Sequence, residues 1–141
     1  MPSSMLEMPM GIGLIPCDQI IEDRLTGKKS LIGVIGEIRA NKFPLRYPAL
    51  FLLVSLTGGR GEYPCRLQIL SASQNEEIFS SRGRLKFKNP TQVVDLVFTL
   101  PALQFKYEDT YWVKFMIDEV TLMTRPLRVT EVQIPPPPPL L

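Results

Sequence analysis

The sequence predicts an all-β fold, an antiparallel β-sandwich of about eight strands with flexible N- and C-terminal tails. Three observations predict it. Apolar residues recur at every second position along most of the chain, the repeat of a half-buried strand. No segment keeps a helical period beyond about ten residues. Turn signals return every 8 to 12 residues or roughly so, the spacing of short strands.

The chain has 141 residues, enough for one domain whose core needs no metal or disulfide staple. The folded part is expected over residues 12–133. Residues 1–11 hold four of the six methionines without any period, and they read as a flexible arm. Residues 134–141, "IPPPPPLL", read as a stiff polyproline II tail, because proline fixes φ and lacks an N–H for sheet or helix. Such a tail is either inert or a ligand for an aromatic-lined groove on a partner.

Within those limits the strands follow in order. "LIPCDQIIED" (14–23) leads through a turn at Thr26-Gly27 into "SLIGVIGEI" (30–38), which makes a hairpin. "RANKFPLRYP" (39–48) is polar with two prolines and is expected to carry the chain between sheets. "ALFLLVSLT" (49–57) is almost continuously apolar, as a central strand buried on both faces would be. "YPCRLQILS" (63–71) alternates, with Cys65, Leu67 and Ile69 on one side. "EEIFSSRGRLKFK" (76–88) follows, with a bulge expected at Gly83.

"TQVVDLVFTL" (91–100) places Val94, Leu96, Phe98 and Leu100 on one face. "TYWVKFMID" (110–118) points Tyr111, Val113, Phe115 and Ile117 inward. A tight turn at Asp118-Glu119 opens "VTLMTRPLRV" (120–129), where Pro126 marks an edge or a bulge. Tyr111, just after Asp109 and at the start of the penultimate strand, sits where an immunoglobulin-like sandwich keeps a corner tyrosine. That sharpens the expected class to an immunoglobulin-like sandwich.

"LTGGRGEYPC" (56–65) poses a choice between a phosphate cradle and a chain reversal. A cradle needs converging backbone N–H groups, usually at a helix N-terminus and followed by lysine. Here a strand follows, and Pro64 removes a donor. The expectation is a turn between strands, with positive φ at glycines.

Several chemistries drop out on composition. The chain has no histidine, which excludes His-based nucleophilic catalysis and the commonest metal ligand. Cys17 and Cys65 are too few and too far apart for a zinc site, and they read as buried free thiols of a reducing, cytoplasmic setting. A net charge of +2 does not announce a nucleic-acid binder, and nucleic acid is not expected as a partner. No stretch approaches about 20 apolar residues, so no membrane span is expected. The paired carboxylates Glu22-Asp23, Glu76-Glu77, Glu108-Asp109 and Asp118-Glu119 lie at turns and strand ends, where local hydrogen bonding accounts for acids. No catalytic, metal-binding or cofactor-binding residue is assigned.

Two surfaces remain. Trp112 and Met116 alternate away from the inward row of their strand, and Phe51 and Leu53 do so on theirs. Together they are expected to form an exposed apolar patch for a partner protein or a second copy, unless the chain's own arm covers it. Arg82, Arg84, Lys86 and Lys88 project from one face of a regular strand at a spacing of about 7 Å. They serve either as the solvent side of an edge strand or as an anion-binding track.

The stretches "CDQIIEDRLTGKKSLIGVIGEI", "FPLRYPALFLLVSLTGGRGEY", "FKNPTQVVDLVFTLPALQF" and "RPLRV" appear in an order that is specific. By them the chain, over roughly residues 14–130, resembles an uncharacterised bacterial family of small sandwich proteins. The resemblance implies the sandwich fold and supplies no catalytic residues. The expected function is a non-enzymatic protein-interaction module or accessory subunit of a larger assembly. A binding domain for an anionic ligand or polymer, acting through the basic strand, is the alternative.

Overall fold

A computed structural model describes residues 8–133 and 138–139. Nine strands run through it: β1 (Met10–Glu22), β2 (Lys29–Val34), β3 (Glu37–Ala40), β4 (Leu45–Thr57), β5 (Gly61–Ser71), β6 (Glu77–Phe87), β7 (Val94–Phe105), β8 (Asp109–Ile117) and β9 (Val120–Glu131). They form a four-stranded sheet in the order β2-β1-β4-β7 and a five-stranded sheet in the order β3-β9-β8-β5-β6. Every pairing is antiparallel except β3 with β9.

The predicted alternation holds where it was clearest. Leu50, Leu52, Val54 and Leu56 of β4 meet Leu67 and Ile69 of β5 and Val113, Phe115 and Ile117 of β8 in one core. Each such side chain, once fully buried, contributes about 1.5–3 kcal/mol. Aromatic contacts stitch the two sheets: Phe98 with Phe115 at 6.3 Å, and Phe105 edge-on to Tyr111 at 4.8 Å between centroids. The Tyr111 hydroxyl donates to the Tyr107 carbonyl at 2.6 Å, the bond expected of a corner tyrosine.

The hairpin β1/β2 is present, and its turn is held by Asp23, whose carboxylate accepts from the Leu25 and Thr26 amides. Those two bonds hold the Asp23 carboxyl below its ordinary pKa. The turn at Asp118-Glu119 places both residues at positive φ (52° and 63°), as a tight two-residue hairpin requires.

Five expectations need correction. The stretch 30–38 is two strands, because the chain leaves the four-stranded sheet after Val34 and seats β3 against β9 in the other. Residues 41–44 then carry it back to β4. β4 is central but buried on one face only: its alternate residues Phe51 and Leu53 are half-exposed. Gly83 is no bulge, since it pairs in register with Cys65; the irregularity falls between Ile69 and Leu70. The glycine stretch is a turn with positive φ at Gly58 and Gly61, but it arches from one sheet to the other, because β4 and β5 do not pair. Lastly, β1 begins at Met10, inside the stretch assigned to the N-terminal arm.

The arch has no room for a side chain at its centre. A Cβ on Gly59 would lie 2.4 Å from the Phe87 ring. Its amides are also engaged: Gly58 N–H donates to the Pro90 carbonyl and Arg60 N–H to the Tyr63 hydroxyl. Residues 1–7, most of the expected arm, and all but Pro138 and Pro139 of the proline tail lie outside the described residues.

Candidate interaction surface

The outward side of the four-stranded sheet is built in cross-strand rows. Val34, Cys17, Phe51 and Thr99 stand opposite one another across β2, β1, β4 and β7. Ile15, Leu53 and Val97 form the next row, and Ile32 with Gln19 extends the surface toward the hairpin. Side chains opposite one another on one sheet face lie within about 5 Å, so these rows make a continuous apolar surface. Val34 is 58 % exposed, Ile32 45 % and Val97 42 %. The Ser55–Asp95 hydrogen bond at 2.6 Å forms one rim. No lysine or arginine stands in these rows.

Cys17 is fully buried within this outer layer, and its thiol donates to the Gln19 carbonyl. Burial pushes the thiol pKa up and nearby Asp18 adds to this, against the bond to Gln19. Cys65 lies in the core, its thiol also pushed up by burial. Both are free thiols in their protonated, unreactive form.

Trp112 and Met116 are on the other side of the molecule. They project from β8 in the five-stranded sheet, whereas Phe51 and Leu53 project from β4 in the four-stranded one. The predicted patch of four is therefore two separate pairs, with both sheets between them. Alternation told which face each side chain takes but not which sheet carries the strand. The residues that complete the surface around Phe51 and Leu53 are Ile15, Ile32, Val34 and Val97. Their signal was present as apolar residues on the second face of β1 (Ile15, Cys17) and β2 (Ile32, Val34), but not on β7, where Val97 stands between Asp95 and Thr99.

Trp112 stands between Leu70 and Pro126 and is 38 % exposed. Around it the outward side of the five-stranded sheet is charged. Arg66 meets Glu77 at 2.8 Å and Glu119 at 3.6 Å, and Arg82 meets Glu119 at 3.3 Å. Arg84 meets Glu62 at 3.8 Å and Arg128 meets Glu108 at 3.4 Å. β6 is the edge strand here, and with Gly83 in register Arg82, Arg84 and Lys86 do share one face; Lys88 lies just beyond the strand end. Among the described residues, Lys86 and Lys88 have no carboxylate within 4 Å.

The paired carboxylates serve the scaffold. Glu76 takes Lys106 at 2.9 Å. Asp109 accepts from the Ser73 hydroxyl at 2.6 Å and from the Ser73 and Thr110 amides. Burial pushes the Asp109 carboxyl up, but these bonds outweigh it and hold the group below the usual carboxylate range. Among the described residues no group of three or more His, Cys, Asp or Glu could hold a metal ion. Among the described residues no helix is long and apolar enough to cross a membrane.

Comparison with curated proteins finds no match. A family model does match, over residues 13–130, and the chain belongs to that family, a family of unknown function designated DUF6941. The match spans all nine strands but for the first residues of β1 and the last of β9.

Proposed function

Starting from that family, which carries the fold and leaves activity open, we propose that the chain is a non-enzymatic protein-interaction module, an accessory subunit of a larger assembly. One observation carries this reading: the apolar outer face of the four-stranded sheet, with Phe51 and Leu53 at its middle, Asp95 at its rim and no lysine or arginine in its central rows. An exposed apolar face of this kind is the usual mark of a docking surface.

The edges of the sheets favour docking on the face over strand addition. β2 carries Gly33 at φ 68°, β7 carries Pro101 and then Ala102 at φ 53°, β6 carries arginine and lysine, and β3 is four residues long. Each is a device that discourages a further strand. The immunoglobulin-like form of the sandwich belongs to the same reading. It is supported by the Tyr111 bond to Tyr107 and by the neighbour order β9-β8-β5 opposite β4-β7, which follows the G-F-C and B-E strands of that class. The cytoplasmic setting is favoured by two buried free thiols, and the bacterial one by the sequence resemblance.

Native mass spectrometry of the protein isolated from its own cells tests the proposal. Wild type is expected in a complex, Leu53→Lys free of it, and Trp112→Lys still within it. A wild-type protein that is always alone rejects the reading. A second reading, an anionic ligand on Arg82, Arg84, Lys86 and Lys88, draws support from the regular register that aligns the first three. It has less support, because Glu119 and Glu62 already offset Arg82 and Arg84.

A further inference from the structure

Exposed apolar side chains gather on one face of this molecule. Of the eleven large apolar residues that stand exposed among the described residues, Met10, Ile21, Ile32, Val34 and Val97 project from the outer side of the four-stranded sheet. Its strands lie about 4.8 Å apart, and β1 carries the rows from Met10 to Ile21, with β2 beside only the half from Cys17 on. That makes a face of roughly 700 Å² before side chains roughen it. A standard interface takes about 800 Å² from each partner, so the face is of the size a stable dimer needs.

The other broad face of the chain is lined with arginine and glutamate. Of the two outer faces, the apolar one therefore finds its match in the same face of a second copy. Contact between two identical surfaces closes at two.

The rows fit such a contact. A half-turn about an axis parallel to the strands, between β1 and β4, lays β1 of one copy over β4 of the other. Half-exposed Phe51 then stands over Cys17, which has no exposed surface and lies low between Val34 and Phe51. Ile15 stands over Leu53, and Thr99 over Val34. The same half-turn sets β7 over β2. Asp95 belongs to the row of Gly13 and Ser55, which β2 does not reach, so it overhangs a corner where the second copy has no strand of that sheet. The rim carboxylate stays in water and keeps its bond to Ser55, and the cost of burying a charge does not arise.

We propose that the outer face of the four-stranded sheet binds a second copy of this chain in this two-fold arrangement. The inference rests on the docking reading of that face and names its occupant.

Sedimentation velocity of the purified full chain at tens of micromolar tests it. Wild type and Trp112→Lys are expected at twice the chain mass, and Ile15→Lys and Leu53→Asp each at the chain mass. Mixing Ile15→Lys with Leu53→Asp is expected to restore the dimer, because the new lysine of one copy meets the new aspartate of the other. A wild-type monomer overturns the proposal, whether residues 1–7 cover the face or a different protein does. That result leaves the docking reading itself to the complex isolated from cells. A dimer that Trp112→Lys dissociates, or a mixture that stays monomeric, overturns it as well. The wild-type mass decides even where a variant does not fold.

Discussion

The two sheets of this sandwich are alike on the sides that face each other and unlike on the sides that face away. Inward, both present Leu, Val, Ile and Phe at alternate positions. Outward, the four-stranded sheet presents Ile15, Val34, Phe51, Leu53 and Val97, whereas the five-stranded sheet presents Arg66, Arg82, Arg84, Lys86, Lys114 and Arg128 around one tryptophan. The inner faces answer to one requirement, filling a shared core. The outer faces are free of it, and their divergence is therefore informative about what each meets. The charged side supplies much of its own opposite charge through Glu62, Glu77, Glu108 and Glu119. The apolar side has nothing of its own to satisfy it among the described residues.

The strongest attack on this comparison is to truncate both inner faces. Leu52→Ala in β4 and Leu67→Ala in β5 remove fully buried side chains from opposite sides of one core, and each is expected to cost about 2–5 kcal/mol. Urea unfolding measures both. A loss confined to one of them shows that the sheets do not share a core.

Acid separates the sheets by a smaller amount. Asp109, on the five-stranded side, has its pKa lowered in the folded state, so its contribution is complete above the unfolded value near pH 4 (about 3.9). The contribution is lost as pH falls through the lowered folded value. Stability measured between pH 6 and pH 2 is expected to fall less steeply in Asp109→Asn than in wild type, and an unchanged slope removes Asp109 from the account.

The smallest effect sharpens the contrast in charge. Glu119→Gln releases Arg66 and Arg82 from a shared acid. Stability is expected to change by less than about 1 kcal/mol, as for exposed ion pairs. Retention on immobilised heparin is expected to rise and to vanish with salt. Unchanged retention counts against the basic strand as an anion site.

Local chemistry made much of this legible. The alternation of β5, β7 and β8, the Thr26-Gly27 and Asp118-Glu119 turns and the corner role of Tyr111 all depend on neighbours a few residues away. What the sequence withheld depends on distant partners. β3 has four residues and gains its identity only from β9. The partition of Phe51 and Trp112 depends on strand order, on which a period of two is silent. Gly83 looked like a bulge because glycine permits one, yet its partner Cys65 keeps the register.

The parallel ladder between β3 and β9 has a consequence for how the chain is made. Thr130 and Glu37, hydrogen-bonded across it at 2.7 Å, are 93 positions apart. During synthesis, which delivers the N-terminal part first, Ile38 must wait for β9, as far as Glu131, to emerge from the ribosome before its seat exists. Over that interval the strands that bear the apolar outer face are already outside, and a co-translational partner would meet them first. Ribosome-stalled chains ending before residue 120, probed by protease, should be cut readily in residues 36–42, and chains extended well past residue 131 should resist.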